Sequence, residues 1–418
     1  MSSEERNELL EKGTARLEWA RTHMFVLDTL AGEIRIRGHL KGKRIAMALH
    51  TEAKTGVLAM TLARCGADVR LASCNPLSTD DSVSLALQEA DVSPGTLEVH
   101  ARRGEDSEQY YDGLNWALDI KPHIVIDDGG DLAKLLHTDR KELLPDILGG
   151  CEETTTGIIR LKALQAENAR LFPVMDVNDC DMKHLFDNRY GTGQSTIDGI
   201  LNATNLTIAG MRIIVAGYGW CGRGIAMRLK GLGANVTVSE IDPVKGVEAA
   251  MDGFRVLSLE NDAPEADMII TATGCKDVVT KEIIGTLKDG CILANSGHFD
   301  NEIDTGYLRT LPSFRAREHV KGYKVGERNV YLISDGRLVN LAAGQGHPVE
   351  IMDMSFAIQA AGAEYIAVNG KELPLEVIPF PRELDERIAR LKLEHMGYSV
   401  SDLTPEQLEY LSSWKDGT

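Results

Sequence analysis

Three glycines at the spacing G-x-G-x-x-G, Gly217, Gly219 and Gly222, follow a run of β-branched residues, Ile213, Ile214 and Val215, and open an apolar-periodic helix. A second strand ends at Glu240. Strand, glycine turn, helix and strand are the setting in which this spacing binds a dinucleotide. The first glycine permits the tight turn, the second lets backbone approach a pyrophosphate, and the third allows close helix–strand packing. The helix N-terminus adds N–H donors and the positive end of its dipole. Trp220 and Cys221 stand between the last two glycines, at the start of that helix. Glu240, about 20 residues on, can accept hydrogen bonds from an adenosine ribose diol. No Arg directly follows Glu240, and its carboxylate repels a 2′-phosphate, so the expected cofactor is NAD rather than NADP. A glycine turn that merely joins a strand to a helix is the plainer alternative.

Other groups capable of chemistry gather at the ends of short apolar runs. His50-Thr51-Glu52-Ala53-Lys54-Thr55 follows KRIAMALH, Asn75 to Asp81 follows DVRLASC, and Asp127-Asp128-Gly129-Gly130-Asp131 closes HIVIDDGG. Ligands sit at the carboxyl ends of strands in open α/β sheets, which is where these clusters fall. CEETTTG, residues 151–157, is too rich in Thr and Gly for a core strand. DVNDCDMKHLFDNRYGTG, residues 176–193, places Lys183 and Asp187 four apart, on one face if the segment is helical. A capped helix start or a surface ion pair accounts for each of these clusters equally well.

The elements that must position these groups follow from periodicity. Residues 1–40 read as helix, with Leu9, Leu10, Leu17, Ala20, Met24 and Leu27 at helical spacing. From Lys43 four strand candidates, KRIAMALH, DVRLASC, LEVHARR and HIVIDDGG, alternate with helical patterns, which implies a parallel, doubly wound sheet. After Glu240 the alternation resumes with FRVLSL, DMIITATG and CILANSGHFD, completing an open nucleotide-binding sheet near YLISDGRLVNL. AAGQGHPVEIMDMSFAIQAAGAEYIA predicts a long helix opening at a glycine-rich turn, and Thr404-Pro405-Glu406-Gln407 is a capping box for a last one. The final stretch of about 75 residues has too few strands for a domain, so it should pack back on the first domain or form a subunit interface.

A chain of 418 residues is long enough for two or three domains, and 43% hydrophobic with 26% charged residues is an ordinary globular composition. A net charge of −18 argues against wrapping nucleic acid. The opening MSSEERNELLEKG has neither the basic start nor the apolar core of a signal peptide, and no apolar run approaches the about 18 residues that span a bilayer. The expectation is a cytoplasmic protein without a membrane partner. Seven cysteines, at 65, 74, 151, 180, 221, 275 and 291, form no CxxC pair, so neither a disulfide framework nor a metal site is expected.

The strings LHTEAKT, SCNPLSTDD, DDGGDL, EETTTG, VND, FDNRYGTGQS, IVAGYGWCGRG, EIDP, GHFDNEID, and GRLVNL with GHP resemble the S-adenosyl-L-homocysteine hydrolase family, in the same order from about residue 43 to 360. The resemblance implies an α/β fold of two doubly wound parallel-sheet domains with a C-terminal helical segment. Residues 1–185 correspond to a substrate domain, 186–342 to a Rossmann NAD domain, and 343–418 to a return segment that completes the first domain and an oligomer interface, with a homotetramer expected. It also implies a reaction in which C3′ of a nucleosyl ribose is oxidised by bound NAD⁺ and the acidified C4′ proton is removed. Homocysteine then leaves C5′, water adds, and the 3′-ketone is reduced again, so the net change is reversible hydrolysis with NAD⁺ regenerated.

By matching motif position, Lys183 and Asp187 resemble the pair handling the 2′- and 3′-hydroxyls, with a lysine tuned toward useful basicity by its neighbours. Asp128 resembles the acid/base near C4′ and C5′, and Glu153 the carboxylate gripping the ribose diol. His50 and His298 are similar to imidazoles lining the C5′ side, and Asn188 to an asparagine beside cofactor and pair. For the cofactor the resemblance adds Thr154, Thr155, Thr156, Ser296, Gly297, Asn340 and His347, with His347 and Thr55 also on the substrate side. GHP at 346–348 resembles the family's gate between domains, though an ordinary helix-start turn fits it too.

Three departures matter. Where the common family form reads H-x-T-x-E-T, this chain has Glu52 and Lys54. An ammonium only donates, so Lys54 cannot accept from the 6-amino group of adenine, whereas it can donate to the 6-oxo group of hypoxanthine while Glu52 accepts from N1–H. That favours S-inosyl-L-homocysteine over S-adenosyl-L-homocysteine, unless Lys54 and Glu52 pair with each other and leave the base to backbone. A family cysteine is Thr192 here, so no redox role is carried over to it. The sequence ends at Trp414-Lys415-Asp416-Gly417-Thr418, before a Lys/Tyr-bearing tail, from which weaker cofactor retention is expected. A plain NAD-dependent dehydrogenase that releases NADH is the alternative of another class.

Overall fold

Short apolar runs separated by helices can bury both faces only inside a parallel sheet covered on two sides. In the computed structural model, which describes residues 2–167 and 172–414, the first such sheet is built from β1 (Arg44–Leu49), β2 (Asp68–Ser73), β3 (Thr96–His100), β4 (Ile124–Asp127), β5 (Gly149–Glu152) and β6 (Val174–Asp176). The strands lie in the order β3-β2-β1-β4-β5-β6, and all pairings are parallel. One face packs Ile45, Met47, Leu71 and Ile126 against the helices Phe25–Arg37, Ala53–Arg64 and Val349–Asn369. The other packs Val125 and Val174 against Leu114, Leu118 and Leu161.

CEETTTG was expected to lie outside the core, and the fold corrects that. Cys151 and Glu152 end a fully buried central strand, and the threonines begin the helix Thr155–Ala166. Gly149 and Gly150 are tolerated in mid-sheet because a Cβ at Gly149 would come within 2.9 Å of Ile366, and one at Gly150 within 2.6 Å of Val125.

The second sheet comprises β7 (Arg212–Ala216), β8 (Asn235–Ser239), β9 (Arg255–Val256), β10 (Met268–Thr271), β11 (Ile292–Asn295), β12 (Ser313–Arg317), β13 (Val320–Val325) and β14 (Arg328–Ile333). Its order is β12-β13-β14-β11-β10-β7-β8-β9. Here β14 joins β11 in parallel, while β13 pairs antiparallel with both β14 and β12, so the outer edge is a meander rather than a further parallel crossover. Both sheets reverse direction of winding beside their first strand, at β1/β4 and at β7/β10, and such switch points open crevices for ligands.

The C-terminal stretch packs back on the first unit. The helix Val349–Asn369 is apolar on nearly every side, with Phe356, Ile358 and Ile366 buried, each contributing roughly 1.5–3 kcal/mol. A strand β15 (Val377–Pro379) then adds to the edge of the first sheet, parallel to β6. Asp385, in the helix Arg382–His395, accepts hydrogen bonds from the backbone N–H groups of Asp181 (2.9 Å) and Met182 (3.1 Å). It thereby caps the turn that carries Lys183. The last helix, Pro405–Ser412, has its capping box but buries no residue, and Leu408, Leu411 and Trp414 are exposed. Residues 415–418, which belong to the expectation about a missing tail, lie outside the described residues. Among the described residues no helix is long and apolar enough to cross a membrane.

Candidate active site

Groups from the carboxyl ends of both sheets line one cavity of about 390 Å³. Behind β1 come His50, Glu52, Lys54 and Thr55; behind β4, Asp128; behind β5, Glu153 and Thr154 to Thr156. From the second sheet Gly219, Trp220 and Cys221 follow β7, and Ser296, Gly297 and His298 follow β11. Lys183, Asp187, Asn188, Asn340 and His347 complete the wall. Of the residues given a catalytic, substrate or cofactor role from the sequence, all line this cavity except Gly217, Gly222 and Glu240, which shape the turn and its support, whereas the clusters at Asn75–Asp81 and Asp127–Asp131 contribute only Asp128. A wider cleft of about 1540 Å³ adjoins it, sharing Glu52, Lys54, Gly346 and His347.

Lys183 and Asp187 were expected on an α-helical face. Instead a single α-turn, Asp181–Lys183, passes into a π-helix, His184–Gly191. The wider winding brings residue i+5 beside residue i. Lys183 Nζ accordingly donates to Asn188 Oδ1 at 2.8 Å, with Asp187 Oδ1 at 3.6 Å and Glu153 Oε1 at 3.7 Å. Burial disfavours the Lys183 ammonium, but the Asp187 carboxylate above all outweighs it and holds its proton affinity above the ordinary lysine value. Burial also works against ionised Asp187, yet Lys183 and His347 together keep it below the usual carboxylate range. His347 Nδ1 lies 3.0 Å from Asp187 Oδ1, and Ser355 Oγ donates to Oδ2 at 2.7 Å. Glu153 behaves oppositely: burial, only partly offset by Lys183, pushes its carboxyl up to about 8.

On the far side Asp128 stands between two imidazoles. His50 Nε2 is 3.5 Å from one of its oxygens and His298 Nδ1 3.9 Å from the other. Burial, opposed by Asp128, holds His50 below the usual histidine value, and Ser78 Oγ fixes its Nδ1 at 2.6 Å. Cys74 Sγ is 3.9 Å from Asp128, and the donor atoms of His50, Cys74 and Asp128 lie within 4.8 Å of one another. That is close enough to hold a cation, although no metal site was expected from the cysteine spacing.

Glu52 and Lys54 meet each other. Lys54 Nζ donates to Glu52 Oε2 at 2.9 Å and to the backbone carbonyl of Gln345 at 2.9 Å, and Glu52 caps the helix Ala53–Arg64 through the Lys54 and Thr55 N–H groups. Both side chains nonetheless line the cavity.

The second sheet fits NAD on three observations. Gly217 turns the chain at φ +97°, where a Cβ would meet the Ala272 carbonyl at 2.6 Å. Above Gly219 nothing lies within 4 Å, leaving a cradle open to backbone approach. Asn340 donates to Ser195 Oγ, but its buried Oδ1 has no partner, as suits an acceptor awaiting an amide. Glu240 is braced at the end of β8 by the N–H groups of Tyr218, Ile241 and Asp242. Trp220 stacks on His184 at 4.8 Å beneath the Arg223 guanidinium.

Sequence reasoning missed Ser78, Asn178, Ser355 and Gln359. Gln359 Nε2 donates to Glu153 Oε2, and Asn178 Oδ1 receives both Lys183 Nζ and Asn188 Nδ2. Ser355 and Gln359 are polar residues four apart in a largely apolar helix that also buries Asp353, and that spacing was the available signal.

Residues 6–146 match the family model described as S-adenosyl-L-homocysteine hydrolase, and residues 188–346 match its NAD binding domain. The chain is 55% identical over 410 residues to an adenosylhomocysteinase of Thermoplasma acidophilum, covering 97% of this chain and 99% of that one. It is 54% identical over 412 residues to an S-inosyl-L-homocysteine hydrolase of Methanocaldococcus jannaschii, covering 98% of each.

Proposed function

The chain belongs to the S-adenosyl-L-homocysteine hydrolase family, NAD-dependent hydrolases of nucleosyl-homocysteine thioethers, and from that premise we propose that its preferred substrate is S-inosyl-L-homocysteine. The observation that carries this is the ammonium of Lys54. It is buried at the cavity wall, and an ammonium has three donors, of which Glu52 and Gln345 take two. The third donor suits a 6-oxo group and has nothing to accept from a 6-amino group.

Bound NAD⁺ supplies a reversible hydride acceptor for C3′. The chain's own groups do the rest. Lys183, held as the ammonium by Asn188 and Asn178, donates to the 3′-oxygen, and the ionised Asp187 carboxylate takes the 3′-hydroxyl proton as hydride leaves C3′. Glu153, protonated at neutral pH, donates to the ribose diol while Gln359 holds its other oxygen. Asp128, flanked by His50 and His298, exchanges protons at C4′ and at the C5′ leaving sulfur. Thr154 to Thr156, Ser296, Gly297, Asn340 and His347 would hold the nicotinamide side, and Glu240 would accept from the adenosine ribose.

The self-contained Lys54–Glu52 ion pair favours a second reading, S-adenosyl-L-homocysteine with base recognition left to backbone. Rates of NAD-loaded enzyme on the two thioethers decide between them, with Lys54→Met as control. The preference for S-inosyl-L-homocysteine should shrink in the variant by about tenfold or more, the loss of a charged hydrogen bond. Far faster cleavage of S-adenosyl-L-homocysteine by the unsubstituted enzyme sinks the proposal. Accumulation of free NADH in step with substrate loss would point instead to a dehydrogenase. A cytoplasmic homotetramer is part of the same reading, the oligomer supported by the exposed Leu408 and Leu411 on a helix that buries nothing of its own, with Trp414 exposed just beyond it.

A further inference from the structure

Immediately behind the row of groups just assigned lies a carboxyl to which they give no task. Glu152 ends β5, is completely buried, and pairs in register with Asp127 at the end of β4. Its Oε1 accepts two backbone hydrogen bonds from different loops, Gly129 N–H at 2.8 Å and Thr154 N–H at 3.1 Å. Gly129 directly follows Asp128, and its backbone is pressed so near His298 that a Cβ would stand 2.9 Å from Nε2. The carbonyl of the same Gly129 accepts from the Arg160 guanidinium, which Asp131 holds at 2.9 Å, so the peptide groups on both sides of Gly129 are held. Thr154 opens the threonine run on the cofactor wall. One oxygen atom thus ties the loop of Asp128 to the loop of Glu153 and Thr154.

The tie has no slack. A Cβ at Gly157 would come within 2.1 Å of Glu152 Oε1, so a hydrogen atom alone fits behind the carboxyl. The second oxygen, Oε2, is buried without a partner. Burial and the neighbouring Asp127 push the Glu152 proton affinity well above the usual carboxyl value, which suits a neutral acid whose job is to accept backbone N–H groups rather than to carry charge.

Resting on the roles assigned above, we propose that Glu152 is a positioning residue for the reaction. It sets the distance between Asp128, with His298 over its loop, and the threonines of the cofactor wall, so that the proton-transfer groups and the hydride acceptor face the same ribose. Glu152→Gln keeps an acceptor oxygen of the same reach, whereas Glu152→Met keeps the length and removes the acceptor.

The test measures kcat, KM and Tm of the NAD-loaded enzyme and both variants on the thioether that the unsubstituted enzyme cleaves faster. Gln should stay within about threefold of the unsubstituted kcat, while Met should lose roughly 100-fold with KM little changed, the cost of an ångström-scale misplacement. A residue that merely supports the fold would lower Tm in Met without this separation of kcat from KM or rescue by Gln. Met retaining kcat, or Gln falling as far as Met, overturns the proposal. Should Met fail to fold, Glu152→Asp, one methylene too short to reach both N–H groups, decides in the same way: a lost kcat at unchanged Tm supports the tie, and an unchanged kcat overturns it. Failure of the unsubstituted enzyme to cleave any nucleosyl-homocysteine would overturn the underlying roles, an outcome distinct from loss in the variants alone.

Discussion

Replacing Glu153 with Gln should make the protein more stable at alkaline pH while lowering its activity. Burial lifts this carboxyl from 4.5 to about 8, with Lys183 pulling the other way and Asp187 adding to the rise. An acid that holds its proton more tightly when folded contributes stability that is complete below its unfolded value and is lost as pH climbs through its folded value. The window therefore runs from 4.5 to about 8. Across it the folded state loses up to about 1.4 kcal/mol per pH unit, or about 3 kcal/mol by pH ~7. A glutamine has nothing to titrate. Whatever its amide gains or loses beside Gln359 and Lys183 is the same at every pH and drops out of the slope. The assay is a pair of urea titrations, with NAD in excess, from pH about 5 to about 8, and the quantity read is variant minus unsubstituted stability. That difference should grow by about 2.5 kcal/mol between pH ~5 and ~7, while kcat drops by about tenfold or more. A flat difference, or one that shrinks with pH, would refute the reasoning that burial dominates at Glu153.

Two further outcomes follow from the same walls. Asp187→Asn removes the strongest counterweight to burial at Lys183, so the lysine should release its proton at lower pH; the alkaline limb of the kcat profile moves down, and an unmoved limb would show that Asp187 does not hold that proton. Glu240→Gln keeps one acceptor oxygen, enough for the Ile241 and Asp242 N–H groups, but loses the charge and the acceptor of the Tyr218 N–H, so NAD affinity should fall by about tenfold and discrimination against NADP should narrow, as read by titrating apoenzyme with each cofactor.

Much of the arrangement can be read from residue pattern alone, because parallel strands buried on both faces leave continuous apolar runs and their ends must carry the polar groups. His50, Asp128 and the Gly217 turn all follow such runs. What pattern hides is winding and company. Lys183 and Asn188, five apart, meet because eight residues wind as a π-helix, and no periodicity of 3.6 announces that. Cys151 and Glu152 look too polar for a core, yet glycines ahead of them let β5 lie deep in the sheet. Lys183 illustrates a third limit: its proton affinity depends on which carboxylates win against burial, and that balance is set by atoms brought together from β5 and the π-helix. The antiparallel β12–β13 edge was overlooked because β12 is exposed along its whole length and β13 interrupts its apolar residues with Lys321, Gly322 and Lys324.

The cap that Asp385 places on the Lys183 turn also bears on how the chain is made. Ribosomal synthesis delivers residues from the N-terminus, and domains generally fold as units as they emerge. The second sheet, whose strands all lie between residues 212 and 333, is contiguous and has everything it needs once β14 has appeared. The first sheet must wait: its edge strand β15 and the carboxylate that orders the Asp181–Met182 backbone come from residues 377–385. All strands of the second sheet have thus been made before the first sheet gains its edge strand, and the Lys183 turn gains its cap only once residues 377–385 have been made.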